Sequence, residues 1–431
     1  MLRLYGMGAT LLIAGLIAGC TSAAAPSISA PPPLRVGVVL PLSGMPAELA
    51  GQERLGIQLG ADLVNADGGV QGRQIVLDVR DLSDSSQAAS VVAQFKAERA
   101  SVVVGSYASD LSIAVSSAAA SAGLVYWESG AVADQLTGRG LPLVFRVGAD
   151  GARLGANSAA FAATELAPRL GKTASTLRVT IVAATDDYAR SVADAAAAGI
   201  GSAGSVLADR IDYSLSVPDW PSVLQKLVAS KPDVVILAAH IPDGEAFRRA
   251  MIAANVHVGA LIGSTMAQCV GDFGEELGAD AIGVFASDRP TGGFNPSALQ
   301  PAALALYDRF GAAWTKANGS TQPSEEGLAG FAASWALFHD VLPNVAQLDD
   351  PASIAAAARA VDLPEGSLPN GSGLRFSNEQ GRLGQNELAA AVVWQWQRPT
   401  TEAVASPQSV TVWPAQFASG PIDSSLVPLP R

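Results

Sequence analysis

The sequence predicts an α/β protein of two lobes, each built on a parallel sheet covered by helices. From residue 34 onward, short β-rich runs alternate with longer helical stretches, and such alternation implies parallel strands joined by right-handed crossovers. Most of the β-rich runs are continuously apolar, as expected for strands covered on both faces. The alternation is interrupted at 138–148 and again at 287–297. Two similar halves, with the chain crossing between them, indicate two lobes joined by hinges.

The predicted strands share a high content of aliphatic residues and are bounded by turn residues. They lie at 35–40, 74–79, 101–105, 123–127, 178–182, 206–210, 233–238, 260–263 and 281–285. Two further β-rich segments, 388–397 and 408–413, come late in the chain.

The predicted helices fill the intervals between these strands. They lie at 47–65, 86–99, 110–122, 150–167, 187–199, 219–229, 243–255 and 269–277, followed by two longer ones at 297–317 and 325–345. Within 243–255, Phe247 and Met251 are four residues apart and the charged Arg248 and Arg249 lie on the other side. This is the pattern of an amphipathic helix packed on a core.

The N-terminal region is a short apolar segment that ends at a cysteine. Arg3 carries a positive charge and 11–17 is apolar, but a bilayer span needs about 20 apolar residues, so this run is too short to cross comfortably. The sequence Ile17-Ala18-Gly19-Cys20 resembles the lipobox of bacterial lipoproteins, in which the signal peptide is cut before the cysteine and the cysteine is acylated. The alternatives are an ordinary cleaved signal peptide and a short anchor helix.

The lipobox resemblance implies a mature protein anchored by lipid on Cys20 to the outer face of the cell membrane. Residues 21–33 are rich in Ala, Ser and Pro and carry no charge, which is typical of a flexible to semi-extended tether. About 400 residues then remain, enough for two domains with cores of their own.

The charge and the cysteine and histidine content exclude several classes of function. The net charge is −12 with no basic run, so the chain is a poor candidate for binding nucleic acid or anionic membranes. With Cys20 lipidated, Cys269 is alone and no intramolecular disulfide forms. His240, His257 and His339 show no metal-ligand spacing, so no metal site is expected; no cofactor is expected either.

Four motifs, in this order and spacing, carry a resemblance to a known family. They are a strand ending in a Ser-Gly turn at 37–44, a helix end and glycine turn at 65–75, the segment Val103-Val104-Gly105-Ser106-Tyr107-Ala108-Ser109, and a late motif at 373–381. The chain resembles the type I periplasmic solute-binding proteins of the branched-chain amino acid (Leu/Ile/Val)-binding group, the ligand receptors of ABC transporters. The resemblance runs from about residue 34 to about 414.

The resemblance implies two Rossmann-like lobes joined by a three-strand hinge. The expected division of the chain is a signal peptide at 1–19, a lipidated tether at 20–33, a first lobe at 34–147 plus 290–370, a second lobe at 148–289 plus 371–414, and a C-terminal tail at 415–431.

Ser109 is the first candidate ligand-binding residue. It follows a predicted buried strand and opens the helix 110–122. Ligands of open α/β sheets bind at the carboxyl ends of strands, and a helix start offers N–H groups to an anion. The resemblance implies that this serine holds the ligand's carboxylate; the alternative is a plain helix cap.

The resemblance adds further candidates on both lobes. On the first lobe, Ser43, Tyr107 and Ala131 would contact the ligand, together with Val132, which stands where relatives place a Thr or Ser hydroxyl. On the second lobe the candidates are Tyr188, His240 and Thr265. Tyr188 matches a tyrosine that closes over the ligand, although a packing tyrosine is the alternative. His240 lies where relatives often have an aromatic residue.

Two departures from the family pattern bear on the ligand. Val132 replaces a hydroxyl, and Thr265 replaces the acidic residue that amino-acid binders use for the ammonium group. Because a buried ammonium without a countercharge is costly, the usual amino-acid site is incomplete unless Glu128 or Asp187 supplies the charge. We therefore expect a ligand other than a standard branched-chain amino acid, such as an amide, a carboxylate or another small polar metabolite.

The expected function is capture of a small polar ligand between two lobes and its delivery to the permease of an ABC importer. One alternative keeps the fold but makes the protein a sensor whose closure is read by a partner protein. A minor alternative is an enzyme, which would need an acid–base or nucleophilic set in the cleft that the three scattered histidines do not provide.

Overall fold

The computed structural model describes residues 31–264, 271–319, 322–399 and 406–430. The expected α/β architecture with two parallel sheets is confirmed. The first sheet has the strand order β2-β1-β3-β4-β5 and its neighbouring strands pair in parallel. Its strands are β1 (Leu34–Leu40), β2 (Ile75–Asp81), β3 (Val102–Gly105), β4 (Val125–Glu128) and β5 (Val144–Arg146).

The second sheet has the strand order β14-β13-β10-β9-β8-β6-β7. Strands β6 to β10 pair in parallel, whereas β13 pairs antiparallel with both β10 and β14. Its strands are β6 (Arg178–Ala184), β7 (Val206–Tyr213), β8 (Val234–Ala238), β9 (Ala260–Ser264), β10 (Phe285–Asp288), β13 (Val392–Gln397) and β14 (Gln408–Trp413). A small ladder joins β11 (Asp362–Leu363) and β12 (Leu374–Arg375).

Helices connect the strands and cover the two sheets. They are α1 (Ala47–Ala66), α2 (Ala88–Ala97), α3 (Ser109–Ala122), α4 (Gln135–Gly138), α5 (Gly151–Phe161), α6 (Ala167–Arg169), α7 (Asp187–Ser202), α8 (Trp220–Ser230), α9 (Ile241–Ala253), α10 (Gly271–Leu277), α11 (Pro301–Asn318), α12 (Glu325–Trp335) and α13 (Pro351–Ala360). No helix in the described part of the chain is both long and apolar enough to span a membrane.

Two expected elements differ from the structure. The first interruption at 138–148 contains strand β5, whose three residues pair with β4; so short a run carries too little periodicity to be recognised. The strand expected at 281–285 begins only at Phe285, because 278–281 forms a 3₁₀ turn. It extends instead through the polar Ser287 and Asp288, which are buried.

The chain crosses between the two sheets at three places. The first crossing joins β5 to α5, the second joins β10 to α11, and the third leads from 385–391 into β13. Each sheet has its own apolar core. The first sheet is covered on one face by α1, α11 and α12 and on the other by α2 and α3, and a separate cluster surrounds the second sheet.

The C-terminal tail packs on the second sheet instead of extending into solvent. Val427 and Leu429 are buried in the core of that sheet, and Leu426 beside them is also buried. The Leu429 N–H donates to the carbonyl oxygen of Gly259, at 2.8 Å. The tail therefore contributes to the stability of the second lobe.

Helices α1 and α12 approach each other closely because both carry glycines where they meet. A Cβ added at Gly56 would lie 2.1 Å from the carbonyl oxygen of Gly327, and one added at Gly330 would lie 2.3 Å from the carbonyl oxygen of Glu53. This contact brings the start of α12 next to Glu53 and so forms one wall of the site described below.

We predict that G56A destabilises the protein by roughly 1–3 kcal/mol, because a methyl group at Gly56 forces the two helices apart. Gly51 is the matched control: it lies on the same helix and an added Cβ meets nothing within 4 Å. G51A should raise the free energy of unfolding by roughly 0.5–1 kcal/mol, because alanine favours a helix interior over glycine. Urea unfolding curves measure both; an equal response of the two variants would contradict the packing argument.

Candidate functional site

The candidate site lies where β3 and β4 end and the chain turns into helices. We call residues 129–133, which follow β4, the ligand loop. Ser109 is the first residue of α3, and its hydroxyl oxygen accepts a hydrogen bond from the Ala133 N–H at 3.2 Å. The N-cap position itself is Ala108, and it has no side-chain cap. Ser109 therefore ties the start of α3 to the ligand loop instead of capping the helix.

The carboxylate of Glu128 holds the ligand loop from within. Its Oε1 accepts hydrogen bonds from the N–H groups of Gly130 and Ala131, at 2.7 and 2.8 Å. Its Oε2 accepts from the Tyr126 hydroxyl at 2.7 Å and from the Ser106 N–H at 3.3 Å. With both oxygens engaged and the side chain fully buried, Glu128 supplies no charge to a ligand.

Two buried arginines hold the carbonyl groups of the same loop. Arg289 Nη1 donates to the carbonyl oxygens of Gly130 and Ser129, at 2.7 and 3.3 Å. Arg146 Nη1 donates to those of Ala133 and Ala131, at 2.7 and 3.4 Å. The arginines therefore fix the loop through its backbone carbonyl groups.

Ala131 and Val132 lie buried in the ligand loop. The carbonyl oxygen of Val132 accepts from the Gly151 N–H at 2.7 Å, and the Val132 side chain joins the core around the second sheet. The Val132 N–H has no hydrogen-bond partner within the described part of the chain. The loop thus keeps one free backbone donor beside Ser109.

The second lobe contributes an aromatic pair. The rings of Tyr188, at the start of α7, and His240, just before α9, lie 4.8 Å apart at 36°. The Tyr188 hydroxyl donates to the carbonyl oxygen of Ala239 at 3.4 Å. Both residues follow the carboxyl ends of strands of the second sheet, as ligand-binding groups of parallel sheets commonly do.

Acidic side chains surround His240. Its Nε2 lies 3.9 Å from Asp186 Oδ2 and its Nδ1 lies 3.9 Å from Asp243 Oδ1. Burial alone would lower the pKa of His240, but Asp243 and Asp186, with a smaller contribution from Asp110, outweigh it and raise the pKa. Asp110 is in the first turn of α3, so a carboxylate of the first lobe contributes to the electrostatic surroundings of His240.

The two lobes also meet directly beside the loop. The Asp134 N–H donates to the hydroxyl oxygen of Ser191 on α7, at 3.1 Å. Asp134 is half-buried, and burial, reinforced by the nearby Asp150, raises the pKa of its carboxyl to about 6.

The remaining sequence candidates have different surroundings. Ser43 is exposed in the turn after β1. Tyr107 is buried, and its ring lies near Glu325 and Glu326: burial and then these carboxylates raise the pKa of its hydroxyl well above the usual range. Asp187, considered as a source of charge, lies 3.4 Å from Arg190. Cys20 and Thr265 lie outside the residues that the structure describes.

A buried acidic cluster behind the ligand loop was missed by the sequence reasoning. Its members are carboxylic acids that surround the Arg289 guanidinium and are at most 4% exposed: Glu53, Asp288, Glu325 and Glu326. Glu128, one of the charges considered from the sequence, neighbours Glu53. Arg289 Nε donates to Glu325 Oε1 at 2.8 Å, and the Ser129 hydroxyl donates to Glu53 Oε1 at 2.6 Å. The described residues include no group of three or more potential ligands placed to hold a metal ion.

The protonation of this cluster follows from its burial. Burial and then the neighbouring Glu128 raise the pKa of Glu53 to about 8. Burial also raises the pKa of Glu326 to about 7. No pattern in the sequence marks these residues, because acids in the first turn of a helix, such as Glu325 and Glu326, ordinarily face solvent and favour the helix dipole.

Comparison with known proteins gives consistent results over most of the chain. The family described as "Periplasmic binding protein" matches residues 33–395. Leu/Ile/Val-binding protein homolog 8 of Brucella abortus is 29% identical over 366 residues, which are 84% of this chain and 88% of that protein. Leu/Ile/Val-binding protein homolog 7 of Brucella melitensis is 27% identical over 389 residues, 90% of this chain and 93% of that protein.

Solved structures share the fold. An ABC transporter substrate-binding protein from Desulfitobacterium hafniense in complex with Leu superposes with a TM-score of 0.67 at 23% identity, covering 88% of this chain and 99% of that one. A leucine binding protein from Thermotoga maritima gives 0.71 at 18% identity, covering 89% and 100%. A solute binding protein from Rhodopseudomonas palustris in complex with 3,4-dihydroxy benzoic acid gives 0.69 at 16% identity, covering 88% and 96%.

We predict that E53Q reduces the loss of stability on raising the pH from 5 to 8. The folded protein keeps a proton on Glu53 between its usual pKa of 4.5 and about 8, whereas the unfolded chain releases it. The free energy of unfolding therefore decreases as the pH rises through this window, by up to about 1.4 kcal/mol per pH unit. Glutamine carries no such proton.

Denaturant unfolding at half-unit pH steps measures this slope. Glu48, exposed on the same helix, provides the matched control, and E48Q should retain the slope of the unmodified protein. Parallel pH dependences for the unmodified protein and E53Q would show that Glu53 is ionised in the folded state.

Proposed function

We propose that this chain, which belongs to the family of periplasmic binding proteins, captures a small polar ligand between its two lobes and delivers it to an ABC importer. The ligand class is an amino acid, an amide or a related metabolite. One observation supports the proposal: the ligand loop meets the second lobe at α7, where the Asp134 N–H donates to the Ser191 hydroxyl oxygen, and Tyr188 lies at the start of that helix. We propose that Ser109 and the Val132 N–H face Tyr188 and His240 across this contact.

The division into lobes forms part of this proposal, with boundaries near 148 and 290 as expected. We propose the third boundary at 385–391 instead of the expected 371, because Leu374 and Phe376 pack in the core of the first sheet.

The first-lobe half of the site suits a hydrogen-bond acceptor on the ligand. The Ser109 oxygen already accepts from Ala133, so its hydroxyl hydrogen is free to donate. The Val132 N–H and the uncapped N–H groups at the start of α3 add donors, and a helix start favours negative charge. A carboxylate or an amide carbonyl group meets these requirements.

The second-lobe half suits a donor or an apolar part of the ligand. Tyr188 and His240 form an aromatic wall. Glu128 is engaged by the loop and Asp187 lies beside Arg190. Asp186 and Asp243 lie equally close to the His240 ring, but Asp243 already accepts from Tyr213 and from the His240 N–H, whereas Asp186 Oδ2 makes no hydrogen bond within the described residues. Asp186 is the residue we propose to meet the ligand's donor end.

Ligand capture would work through the equilibrium between open and closed lobes. A ligand that contacts both halves binds the closed form more tightly than the open form and shifts the population toward it by that difference in affinity. The closed form would be the one recognised by the permease.

We predict that S109A weakens ligand binding by about tenfold, since loss of one hydrogen bond to a charged group costs roughly 1.5 kcal/mol. Native mass spectrometry of the purified protein identifies a copurified compound; calorimetry then compares it with L-leucine, L-valine and 3,4-dihydroxybenzoate. Leucine and valine should bind more weakly than the copurified compound, because Val132 lacks the hydroxyl of relatives.

Ser121 is the matched control for Ser109. It lies at the other end of α3, exposed, with its hydroxyl bonded to the carbonyl oxygen of Ser117, so S121A should bind like the unmodified protein. The proposal fails if no compound copurifies and none of the three probes binds, or if S109A and S121A bind alike.

The lipid anchor on Cys20 is a separate part of the proposal. It rests on the lipobox resemblance of 17–20, together with an apolar run that is too short to span a membrane comfortably. C20S should move the protein from the membrane fraction to the soluble fraction of cells and remove the added lipid mass from the N-terminal peptide. C269S keeps the lipobox and should remain with the membrane; equal fractionation of the two variants would argue for another mode of attachment.

A further inference from the structure

Each of the two buried arginines that hold the ligand loop belongs to a crossing between the lobes. Arg146 is the last residue of β5, where the first crossing begins. Its Nε donates to Gln385 Oε1 at 2.6 Å, and its backbone N–H and carbonyl bond to Gly384 and Asn386, at 2.9 Å each. Arg146 therefore links the first crossing, the third crossing and the ligand loop.

Arg289 occupies the corresponding place in the second crossing. It follows β10 directly and reaches back to the carbonyl oxygens of Ser129 and Gly130. Its Nε donates to Glu325 on α12, and a Cβ added at Gly148, in the first crossing, would lie 3.5 Å from Arg289 Cδ. Arg289 thus contacts the second-sheet strand end, the first crossing and the first-lobe wall at once.

Because of these hydrogen bonds, the position of the ligand loop depends on the positions of Arg146 and Arg289. Within the described residues, the loop's carbonyl groups at 129, 130 and 131 accept from the two arginines, whereas the carbonyl at 133 accepts from Arg146 and from the Leu136 N–H. A guanidinium presents its donors in a rigid planar fork. When the lobes rotate about the crossings, the backbone at Arg146 and Arg289 moves with them. The two guanidinium groups must then either move the loop with them or lose their buried hydrogen bonds to it. Losing those hydrogen bonds is unfavourable.

We propose that Arg289 and Arg146 are positioning residues that couple the angle between the lobes to the geometry of the ligand loop. The Val132 N–H then reaches its ligand-binding position beside Ser109 only near one lobe angle. Closure and assembly of the site become a single event. This inference rests on the proposed function for its biological meaning, but the coupling itself exists without ligand.

The test compares R289Q with R248Q in the full chain without ligand. Arg248 is a matched control: it is also buried and donates to carbonyl oxygens, those of Asp280 and Pro430, but all its partners belong to the second lobe. Hydrogen exchange followed by mass spectrometry measures the loop 129–133 and the crossings at 146–150 and 384–391. Small-angle X-ray scattering measures the lobe separation through the radius of gyration.

For R289Q we expect exchange to accelerate at least tenfold in the loop and also in 384–391, to which Arg289 makes no hydrogen bond, together with a larger radius of gyration. R248Q should accelerate exchange only near 280 and 430. R289K keeps the positive charge but lacks the planar guanidinium, so it should give an intermediate result. It replaces R289Q in the test if R289Q does not fold. Faster exchange confined to the loop, with unchanged crossings and radius, would reduce Arg289 to a local structural role and overturn the coupling.

Both readouts are taken without ligand, so they separate this inference from the proposed function. If the coupling is present but no compound binds, the function fails and the coupling stands. If a compound binds with unchanged affinity to R289K and R289Q while the crossings stay protected, the function stands and the coupling fails.

Discussion

The structure depends on how the backbone of one buried loop is satisfied between two lobes. Residues 129–133 follow the end of β4 and lie next to α7 of the second lobe, without the ladder partners that a strand would give them. Buried N–H and C=O groups need hydrogen-bond partners. In this loop charged side chains provide them: Glu128 accepts from N–H groups, and the two arginines donate to carbonyl groups. The position of Ser109, the free Val132 N–H and the path of the crossings all follow from that choice.

The acidic cluster is the consequence of burying Arg289. A guanidinium out of water needs both hydrogen bonds and countercharge, and Glu325 and Asp288 provide them. More carboxyls are present than one cation can balance, so burial keeps a proton on Glu53. The close approach of α1 and α12 at Gly56 and Gly330 brings Glu53 and Glu325 to this position, which connects helix packing to the chemistry of the site.

Local pattern was sufficient for most of the fold. Strands such as β1 and β8 were predictable because they are continuous apolar runs, and so was the place of Ser109 after a strand end; its contact with a ligand stays a prediction. The three-residue β5 was not predictable, since so short a run carries no period. Glu53 and Arg289 were missed because their partners are remote in sequence: Arg289 bonds to Gly130, 159 residues away. Glu128 was considered as a ligand charge, but only the three-dimensional contacts show that the loop already uses it.

The use of backbone donors also bears on how this fold changes its ligand. The Val132 N–H is held in place by the loop's arginines and carboxylate, so it survives replacement of the side chain at position 132. A hydroxyl can therefore be lost there without losing the hydrogen-bonding frame, and the side chain is free to alter the shape of the cleft. In the proposed site, His240 and Asp186 on the opposite lobe would supply polarity through side chains, which can change without disturbing the crossings. Under that proposal, selectivity would reside in residues outside the charge-linked loop, whereas the loop would preserve the geometry that any ligand must meet.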